Sequence, residues 1–377
     1  MLAGHVPGNN PYCLGIRATW YGLDLILSIA DSPDGVQRTS QLKRTGFKER
    51  RTMSFAIVAK QPGGPDMLTK MEISPPSPAA GEVLIRHDAV GVNYLDVYIR
   101  EGAYPWPVDE NLILGSEGAG VIEAVGEGVT GFAVGDRVGY ALPNGAYATH
   151  RVIAANMVVK LPDNIASDVA AALMLKGLTV AYLVTRSYAV NAGTTVLFHA
   201  AAGGVGLLAG QWLKSLGATV IGTAGGPDKC ALAKANGYDH VIDYKSQDFE
   251  AEVMALTDGK GVDVVYDSVG NDTMAKSIKC AKRHGTIINF GQSSGAYADF
   301  KIKDLAIGSL YLSRPTLFHF ATEREWLEAA SAEMFARIAD GRLSVAINQR
   351  FALENAADAH RALTGRATTG CTVLTID

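Results

Sequence analysis

The stretch FHAAAGGVGLLAGQWLKSLGATVIGTAGGPDK, from Phe198 to Lys229, decides the fold. It continues an apolar run that starts at Thr195 and predicts a strand, and GVGLLAGQWLKSLG then predicts a helix that ends at Gly217. ATVIGTA predicts the next strand. Glycines fill the corner between strand and helix at nearly the spacing of the dinucleotide-binding fingerprint. The stretch therefore predicts a βαβ unit whose first turn binds a dinucleotide.

The three fingerprint positions are occupied by Ala201, Gly203 and Gly206. Gly203 lets the backbone approach a pyrophosphate, and Gly206 lets helix and strand pack closely. Ala201 only has to fit a tight turn, so alanine is a mild departure. The backbone N–H groups of Gly204 and Val205 would open the helix and face the anion. A glycine-rich corner without a ligand is the alternative that the pattern leaves open.

The end of the second strand indicates which dinucleotide fits. An NAD site places an acidic residue there, about twenty positions after the last glycine, to bind the ribose 2′-hydroxyl. Gly225 and Gly226 stand at this place instead, and they leave space for a 2′-phosphate. Lys229 follows and can supply a charge-assisted hydrogen bond of about 1.5–3 kcal/mol. The residues thus predict NADPH, unless Lys229 is only a solvated lysine at a helix start.

Strands and helices alternate after about residue 170. VDVVYDSV (Val262–Val269) predicts a buried strand, NDTMAKSIKCAKRHG (Asn271–Gly285) a helix and TIINFG a further strand. This order predicts a parallel, doubly wound sheet. Short strands with Gly and Pro between them, from Met53 to about Leu161, predict a small barrel instead. Two late strands, VAINQRF and CTVLTID, could return to that barrel.

Composition limits the function classes. The chain has 377 residues, 48% of them hydrophobic, which indicates a core-forming protein, and its net charge of −4 provides no global basic field that would favour nucleic acid. Its four cysteines are scattered without metal-site spacing, so we expect free thiols in a reducing compartment, the cytoplasm. No unbroken apolar run reaches the roughly 18 residues of a membrane span. We therefore expect no membrane association.

Residues 1–52 differ from the rest of the chain. Their second half, QRTSQLKRTGFKERRT, is strongly basic, and MSFAIVAKQPGG reads like a natural protein start at Met53. We expect an N-terminal extension without a fold. An organelle-targeting leader and a nucleic-acid arm are the two alternatives, because both are rich in arginine and poor in acids.

Further motifs carry a family resemblance. Together with HAAAGGVG they are GVNYLDVYIREGAYP (Gly91–Pro105), LKGLT (Leu175–Thr179), VVYDSVG (Val264–Gly270), NFGQSSGA (Asn289–Ala296), GSLYLSRPTL (Gly308–Leu317) and GRATTG (Gly365–Gly370). In this order they resemble the quinone oxidoreductases, the zeta-crystallin-like branch of the zinc-independent medium-chain dehydrogenase/reductase family. The resemblance spans about residues 54–377 and does not cover residues 1–52.

The resemblance implies an α/β fold: a GroES-like β-barrel catalytic domain with an inserted Rossmann doubly wound parallel sheet. We expect the catalytic domain at residues 53–178, the NADPH-binding domain at residues 179–313 and a return to the catalytic domain at residues 314–377. A cofactor cleft would lie between the two domains. We also predict a homodimer, because the strand in TIINFG and the later GSLYLS could place an open sheet edge near the surface, and such edges are usually paired or covered.

The resemblance assigns roles to residues that are otherwise unremarkable. Lys229, Tyr244 and Arg366 would bind the 2′-phosphate. Without the resemblance, Tyr244 reads as a strand-end tyrosine and Arg366 as a surface arginine. The nicotinamide side would be lined by Phe290, Gly291 and Ser293, and the cofactor would also contact Tyr94 and Thr179.

Zinc-dependent relatives carry a cysteine and a His-Glu pair where this chain has Asn93 and the pair Ser116–Glu117. We therefore expect no metal, and we expect Glu117 to be a buried, hydrogen-bonded structural carboxylate. Asn93 could donate its amide N–H to a substrate oxygen on which charge develops. Tyr98 and Tyr104 could orient substrate or relay a proton. Alternatively, Asn93 satisfies a turn and Tyr104 only packs a loop.

The resemblance implies reduction of quinones by hydride transfer from NADPH, without metal. The cofactor would carry the chemistry, and the protein would position it against an electron-poor acceptor. An NADPH-dependent enone or alkenal reductase is the alternative among enzymes. A non-catalytic NADPH-binding protein is the alternative of another class.

Overall fold

The computed structural model describes residues 54–376. The expectation for residues 1–52 lies outside this range. The first part of the described chain is rich in strands: β1 (Phe55–Ala59), β2 (Leu68–Glu72), β3 (Glu82–Val92), α1 (Tyr94–Arg100), β4 (Leu112–Ile113), β5 (Glu117–Val125), β6 (Arg137–Ala141), β7 (His150–Ala154) and β8 (Val158–Lys160).

The long strand β3 organises this part. It pairs antiparallel with β5 along most of its length and with β7 over its first half. Strand β5 pairs with β6, and β6 with β8, while β1 joins β2 and β4 in a separate three-stranded sheet. These antiparallel pairings of short strands agree with the predicted barrel.

A parallel sheet follows a long helix, α2 (Ser167–Tyr182). Its elements are β9 (Thr195–Phe198), α3 (Gly204–Ser215), β10 (Thr219–Ala224), α4 (Pro227–Ala235), β11 (His240–Asp243), α5 (Phe249–Leu256), β12 (Val262–Asp267), α6 (Met274–Cys280), β13 (Ala281–Asn289) and β14 (Tyr311–Ser313). The strand order is β11-β10-β9-β12-β13-β14. Strands β10 and β11 are added on one side of β9, and the later strands β12, β13 and β14 are added on its other side. Ligands of such folds bind at the point where this order of addition reverses.

The tail of the chain returns to the first sheet. It contains α7 (Leu317–Ala321), α8 (Arg324–Ala339), β15 (Ile347–Ala352), α9 (Ala356–Thr364) and β16 (Cys371–Thr375). Strand β16 pairs antiparallel with the end of β3, and β15 pairs with β16. This pairing confirms a parallel sheet inserted into a GroES-like sheet, whereas the exact domain boundaries stay predictions.

The prediction of a helix over Asn271–Gly285 was wrong about where the helix ends. Helix α6 stops at Cys280, and the next residues already belong to β13. Ala281 pairs with Val262 of β12 in the sheet. A Cβ atom at Gly261 would lie 2.6 Å from the carbonyl oxygen of Cys280, so the two segments are tightly apposed here. Tertiary pairing therefore ends the helix where its local pattern would continue it.

Helix α2 is the centre of the core. With the turn that follows, it forms a 21-residue segment, Ser167–Ser187, of mean hydropathy 1.5. By length and composition this segment could cross a membrane, although Asp168, Lys176 and Arg186 interrupt its apolar residues. Of its 18 most apolar consecutive residues, 83% are buried inside the protein, and α2 packs against β3, β5, β6, α3 and α8. It is therefore a core helix that joins the two sheets.

Candidate cofactor cleft and active site

A cleft of about 1120 Å³ lies between the parallel sheet and the barrel. It is lined by every residue that the sequence predicts for the site: Asn93, Tyr94, Tyr98, Tyr104, Thr179, Gly203, Gly204, Val205, Gly206, Gly225, Lys229, Tyr244, Phe290, Gly291, Ser293 and Arg366. The fold thus brings together residues that lie up to 273 positions apart in the chain, from Asn93 to Arg366. Their individual roles stay predictions.

The turn between β9 and α3 is closed by a hydrogen bond from the Gly203 N–H to the Ala200 carbonyl oxygen, at 3.0 Å. Ala200 has a φ of 55°, so the left-handed residue of the turn is one position before Ala201. Ala201 is fully buried. A Cβ atom at Gly206 would lie 2.3 Å from the Ala200 oxygen, which explains the glycine of the closely packed helix.

Helix α3 begins at Gly204, so its first N–H groups have no acceptor within the helix and can bind an anion. The turn is held from the other side by the tail of the chain. The Gly370 N–H donates to the Ala202 carbonyl oxygen at 3.0 Å, and a Cβ atom at Gly204 would lie 3.1 Å from the Gly370 oxygen. The tail therefore fixes the turn that would hold the pyrophosphate.

The residue that follows β10 is a glycine, as the sequence predicts, but the space beside it is occupied by another side chain, that of Tyr244. A Cβ atom at Gly225 would lie 2.5 Å from the hydroxyl oxygen of Tyr244. Gly226 has a φ of 97°, and its N–H donates to Asp243 Oδ1 at 2.8 Å. The two glycines thus have different reasons: Gly225 admits Tyr244, and Gly226 adopts a left-handed conformation. The hydroxyl predicted to bind the 2′-phosphate lies directly beside the bare strand end.

Three cationic side chains surround this end of the cleft. The Lys229 ammonium donates to the carbonyl oxygen of Arg366 at 2.7 Å. Burial lowers the pKa of Lys229, and the positive charges of Lys245 and Arg366 lower it further. The Arg366 guanidinium lies 3.3 Å from Asp272 Oδ2. Like charges held this close favour an anion between them.

Lys245 was missed in the sequence. Its Cε atom would lie 3.3 Å from a Cβ atom at Gly225, so it belongs to the same cluster. The available signal was its position directly after Tyr244, at the end of the third strand of the sheet. The carboxyl ends of neighbouring parallel strands meet at one edge, so a cation there lies close to the glycines.

The opposite end of the cleft is built around Glu117, which is fully buried. Its Oε1 atom accepts from Asn93 Nδ2 at 2.9 Å and forms an ion pair with the Lys176 ammonium. Its Oε2 atom accepts from the Leu175 N–H at 2.7 Å. A Cβ atom at Gly91 would lie 2.2 Å from Oε1, so glycine there makes room for the carboxylate. The prediction of a buried, hydrogen-bonded carboxylate is confirmed.

Lys176 is a second side chain of the site that the sequence did not reveal. It lines the cleft although it belongs to the core helix α2. The available signal was a lysine inside the apolar run ALMLKGLTVA, where a buried charge needs a partner. The sequence alone offers two acidic partners for this lysine, Asp168 near the helix start and Glu117. Only the fold shows that Glu117 is the partner.

Asp96 fixes the loop that carries Asn93. It is buried and accepts from the Asn93 N–H at 2.9 Å, from Ser116 Oγ at 2.6 Å and from the Tyr147 hydroxyl at 3.1 Å. Burial raises the pKa of Asp96 to about 6, against the opposing effect of these hydrogen bonds. Its contacts make Asp96 a positioning group for Asn93.

The tyrosines predicted at the site differ in what they can do. The Tyr98 hydroxyl accepts from the Gln292 N–H at 3.0 Å, and burial raises the pKa of Tyr98 to about 12. It therefore stays protonated near neutral pH. The Tyr94 hydroxyl donates to the Leu363 carbonyl oxygen at 3.0 Å. Tyr104 is 41% exposed at the mouth of the cleft, where it can contact an entering molecule.

The remaining predicted residues line the cleft beside β9 and β13. The Phe290 ring packs against Phe198 with centroids 5.6 Å apart. A Cβ atom at Gly291 would lie 2.8 Å from the Ser268 oxygen, which also accepts from the Ser293 N–H at 3.1 Å. The loop after β13 is thus held closely against the loop after β12.

The Thr179 side chain is held by its own helix, α2. The Thr179 hydroxyl donates to the Leu175 carbonyl oxygen at 2.7 Å, so its lone pairs remain for a ligand. Within residues 54–376, the structure shows no group of three or more His, Cys, Asp or Glu side chains that could hold a metal ion.

Comparisons with known proteins agree with this architecture. The family model for the alcohol dehydrogenase GroES-like domain matches residues 79–163, and the zinc-binding dehydrogenase model matches residues 204–333. A quinone oxidoreductase from Pseudomonas aeruginosa is 48% identical over 83% of this chain and 96% of its own length. A 2-haloacrylate reductase from a Burkholderia species is 41% identical over 85% of this chain and 99% of its own length.

Solved structures give the same result. The crystal structure of Escherichia coli quinone oxidoreductase complexed with NADPH has a TM-score of 0.84 and 43% identity, and the match covers 85% of this chain and all of that one. A quinone oxidoreductase of Pseudomonas syringae has the same TM-score at 44% identity, with 86% of this chain and all of that one covered. The chain is an oxidoreductase that belongs to the quinone oxidoreductase branch of the medium-chain dehydrogenase/reductase family.

Proposed function

We propose that this protein reduces quinones by hydride transfer from NADPH, without a metal ion. The observation that carries the proposal is the cation cluster of Lys229, Lys245 and Arg366 at the bare end of β10, beside the Tyr244 hydroxyl. A 2′-phosphate is the part of NADPH that NADH lacks. An anion placed among these groups would gain charge-assisted hydrogen bonds.

The residues of the cleft fit a bound dinucleotide along its whole length. The first turn of α3 would bind the pyrophosphate through backbone N–H groups. Phe290, Gly291 and Ser293 would line the nicotinamide, which supplies a hydride when the cofactor is bound. A related enzyme from Escherichia coli, similar to this chain at 43% identity, was solved with NADPH. This relative supports the same cofactor here.

The walls of the cleft favour a flat, apolar acceptor. They present mainly aromatic and aliphatic side chains, namely Tyr98, Tyr104, Leu142, Pro143, Tyr182 and Phe318. The Asn93 amide uses one N–H on Glu117 and keeps a second for an oxygen atom of the acceptor. A quinone combines both properties, because it is a planar ring with carbonyl oxygens at its edge.

An enone or haloacrylate-type reductase is the second candidate. The 2-haloacrylate reductase from Burkholderia, 41% identical to this chain, is the observation that favours it. Such a substrate also carries a carbonyl oxygen for Asn93, but it accepts hydride on a carbon conjugated with that carbonyl. The two candidates therefore share the cofactor end of the cleft and differ in the acceptor.

Steady-state oxidation of NADPH tests both candidates. We expect turnover with benzoquinones and naphthoquinones at a higher kcat/KM than with a matched series of enones and a 2-haloacrylate. Higher kcat/KM for the enones would favour the second candidate. Tight NADPH binding without turnover on any acceptor would leave a non-catalytic NADPH-binding protein.

We also propose that two copies of the chain form a dimer through the edge of the parallel sheet. Strand β14 is the outermost strand on its side among the described residues, and Tyr311 on it is 64% exposed. Ile302 and Ile307 nearby are also exposed. Open edges of this kind are usually paired or covered. Light scattering that gives the mass of one chain at micromolar concentration would refute the dimer.

A cytoplasmic location belongs to the same proposal. Cys230, Cys280 and Cys371 are free thiols in the described structure, and the latter two are buried. Free thiols are typical of reducing compartments. Fractionation of cells that produce the protein checks this, and recovery of the protein with membranes would contradict it.

A further inference from the structure

A buried cation, Lys176, lies at the chemical end of the cleft. It occupies the middle of α2, where the neighbouring residues from Ala170 to Tyr182 are buried. Its side chain is only 6% exposed, yet it contributes to the lining of the cleft. A lysine in such a place is costly to desolvate and needs a compensating interaction.

Glu117 supplies that interaction and holds the ammonium beside Asn93. One carboxylate oxygen, Oε1, accepts from both Asn93 Nδ2 and the Lys176 ammonium, while Oε2 accepts from the Leu175 N–H. Both oxygens of Glu117 are therefore in use. Among the described residues, the Lys176 ammonium donates its side-chain hydrogen bond to Glu117. An ammonium has three N–H groups, so two remain for groups that enter the cleft.

The charge on Lys176 is stable near neutral pH. Burial lowers the pKa of Lys176, but the negative charge of Glu117 and its hydrogen bond with the ammonium are the main effects that raise it. The pKa therefore lies above the ordinary value for lysine. A group with this property acts as a fixed positive charge, and it does not readily give up its proton.

The side chain of Lys176 also lies against the cofactor turn. A Cβ atom at Gly204, the first residue of α3, would lie 2.9 Å from Lys176 Cδ and 3.0 Å from Cε. The aliphatic stem thus packs on the turn that would hold the pyrophosphate, while the ammonium reaches Glu117 and Asn93. Lys176 is placed between the site of the dinucleotide and the amide that faces the acceptor.

We propose that the Lys176 ammonium, held by Glu117, is a catalytic group that stabilises negative charge on the acceptor oxygen, together with the Asn93 amide. This inference rests on the proposed reduction of quinones or conjugated carbonyls. A purely structural ion pair would gain little over apolar side chains of the same volume, because desolvation offsets most of its attraction. A charge that also meets the developing oxyanion contributes to the rate.

The acceptor takes one hydrogen with both electrons of the C4–H bond of the dihydronicotinamide, and the cofactor leaves as NADP⁺. The acceptor is reduced, and its oxygen carries the negative charge until it takes one proton from water. Lys176 and Asn93 donate hydrogen bonds to this oxygen throughout, and both keep their protons. Glu117 is a positioning residue, because it acts through Lys176 and Asn93.

Binding of 4-nitrophenol in the presence of NADP⁺ tests the proposal without turnover. Its phenolate absorbs visible light, and its charged oxygen imitates the reduced acceptor. We expect the wild-type protein to favour the phenolate over the phenol by about tenfold or more relative to water, the effect of one charge-assisted hydrogen bond. Failure of the wild type to bind the phenolate preferentially would overturn the proposal.

The variants separate the charge from the fold. Because Lys176→Met alone leaves Glu117 buried and unpaired, the decisive variant is Lys176→Met with Glu117→Gln, which removes both charges and keeps both shapes. We expect it to lose the phenolate preference and about 10²–10³-fold in kcat, while its NADPH affinity changes less than threefold, a margin of roughly 0.6 kcal/mol. Lys160→Met is the matched control, because Lys160 pairs with Asp136 on the surface.

Two results would overturn the proposal. The double variant could keep the phenolate preference of the wild type, or it could lose NADPH affinity instead, which would make Lys176 a cofactor anchor. The control should match the wild type in both measurements. Failure of the proposed quinone reduction is a separate result, since it appears as absent turnover in the wild type whatever the phenolate does.

Discussion

The two ends of the cleft use positive charge in opposite ways. At the end of β10, Lys229 is half-buried, and Lys245 and Arg366 are exposed to water. At the other end, Lys176 and its partner Glu117 are withdrawn into the core. Exposed cations are screened and contribute mainly to discrimination between charged ligands, whereas a buried pair is fixed in place and couples binding to stability. We therefore propose that lysine serves cofactor selection at one end of the cleft and the reaction at the other.

The largest effect should follow from breaking the buried pair. Glu117→Gln leaves the Lys176 ammonium in the core without a counter-charge, and we expect it to lower the free energy of unfolding by about 3–5 kcal/mol. Urea denaturation measures the change. Glu354→Gln is the control, because it breaks the exposed pair with Lys70 and should cost about 1 kcal/mol or less. Equal effects of the two substitutions would mean that Glu117 and Lys176 are not a buried charged pair.

Asp96 offers a smaller effect that depends on pH. Its pKa of about 6 in the folded protein exceeds the value of 3.8 for an ordinary aspartate. The folded state therefore binds the proton more tightly, and stability falls as pH rises from about 4 to about 6. We expect the stability of Asp96→Asn relative to wild type to increase over this range by about 3 kcal/mol and then to level off. Urea denaturation at several pH values measures this, and a difference that is constant with pH would contradict the assignment.

Salt should separate the two ends of the cleft. Raising the ionic strength from about 0.05 M to about 0.5 M shortens the Debye length several-fold. We expect the preference for NADPH over NADH to fall about threefold to tenfold, because the 2′-phosphate contacts are exposed. The phenolate preference at Lys176 should change much less. Equal salt sensitivity at both ends would remove the distinction between them.

The smallest effect concerns Tyr98. Tyr98→Phe removes one acceptor from the Gln292 N–H, which should lower kcat about fivefold or less, as for a single hydrogen bond of about 1 kcal/mol. Because the pKa of Tyr98 is about 12, the pH profile between 6 and 10 should not change. A basic limb in this range that disappears in the variant would show that Tyr98 transfers a proton in the reaction.

The sequence was most informative where function depends on local backbone. The turn from Ala200 to Gly206 is formed by consecutive residues, so its glycine spacing can be read directly from the sequence. The strand end without side chains at Gly225 likewise follows from two adjacent glycines. The site motifs are also contiguous, so their meeting in one cleft could be expected from the resemblance. Even here, the left-handed residue was Ala200, and the space beside Gly225 held Tyr244.

The sequence was least informative where function depends on distant partners. Lys176 is one charge in an apolar helix, and its role depends on Glu117, which lies 59 residues earlier and meets it through the packing of α2 on β5. Lys245 joins Lys229 only because β10 and β11 are neighbours in the sheet. Helix α6 ends at Cys280 because the following residue pairs with Val262. None of these contacts can be predicted from the pattern of neighbouring residues in the sequence.

The most direct test of the NADPH assignment is a fluorescence titration of NADPH and NADH with the wild type and with Lys229→Ala. We expect the wild type to bind NADPH about a hundredfold more tightly than NADH, the effect of two charge-assisted hydrogen bonds. Lys229→Ala should lose about tenfold in NADPH affinity and leave NADH binding unchanged. Equal affinities in the wild type, or equal losses for both nucleotides in the variant, would contradict the assignment.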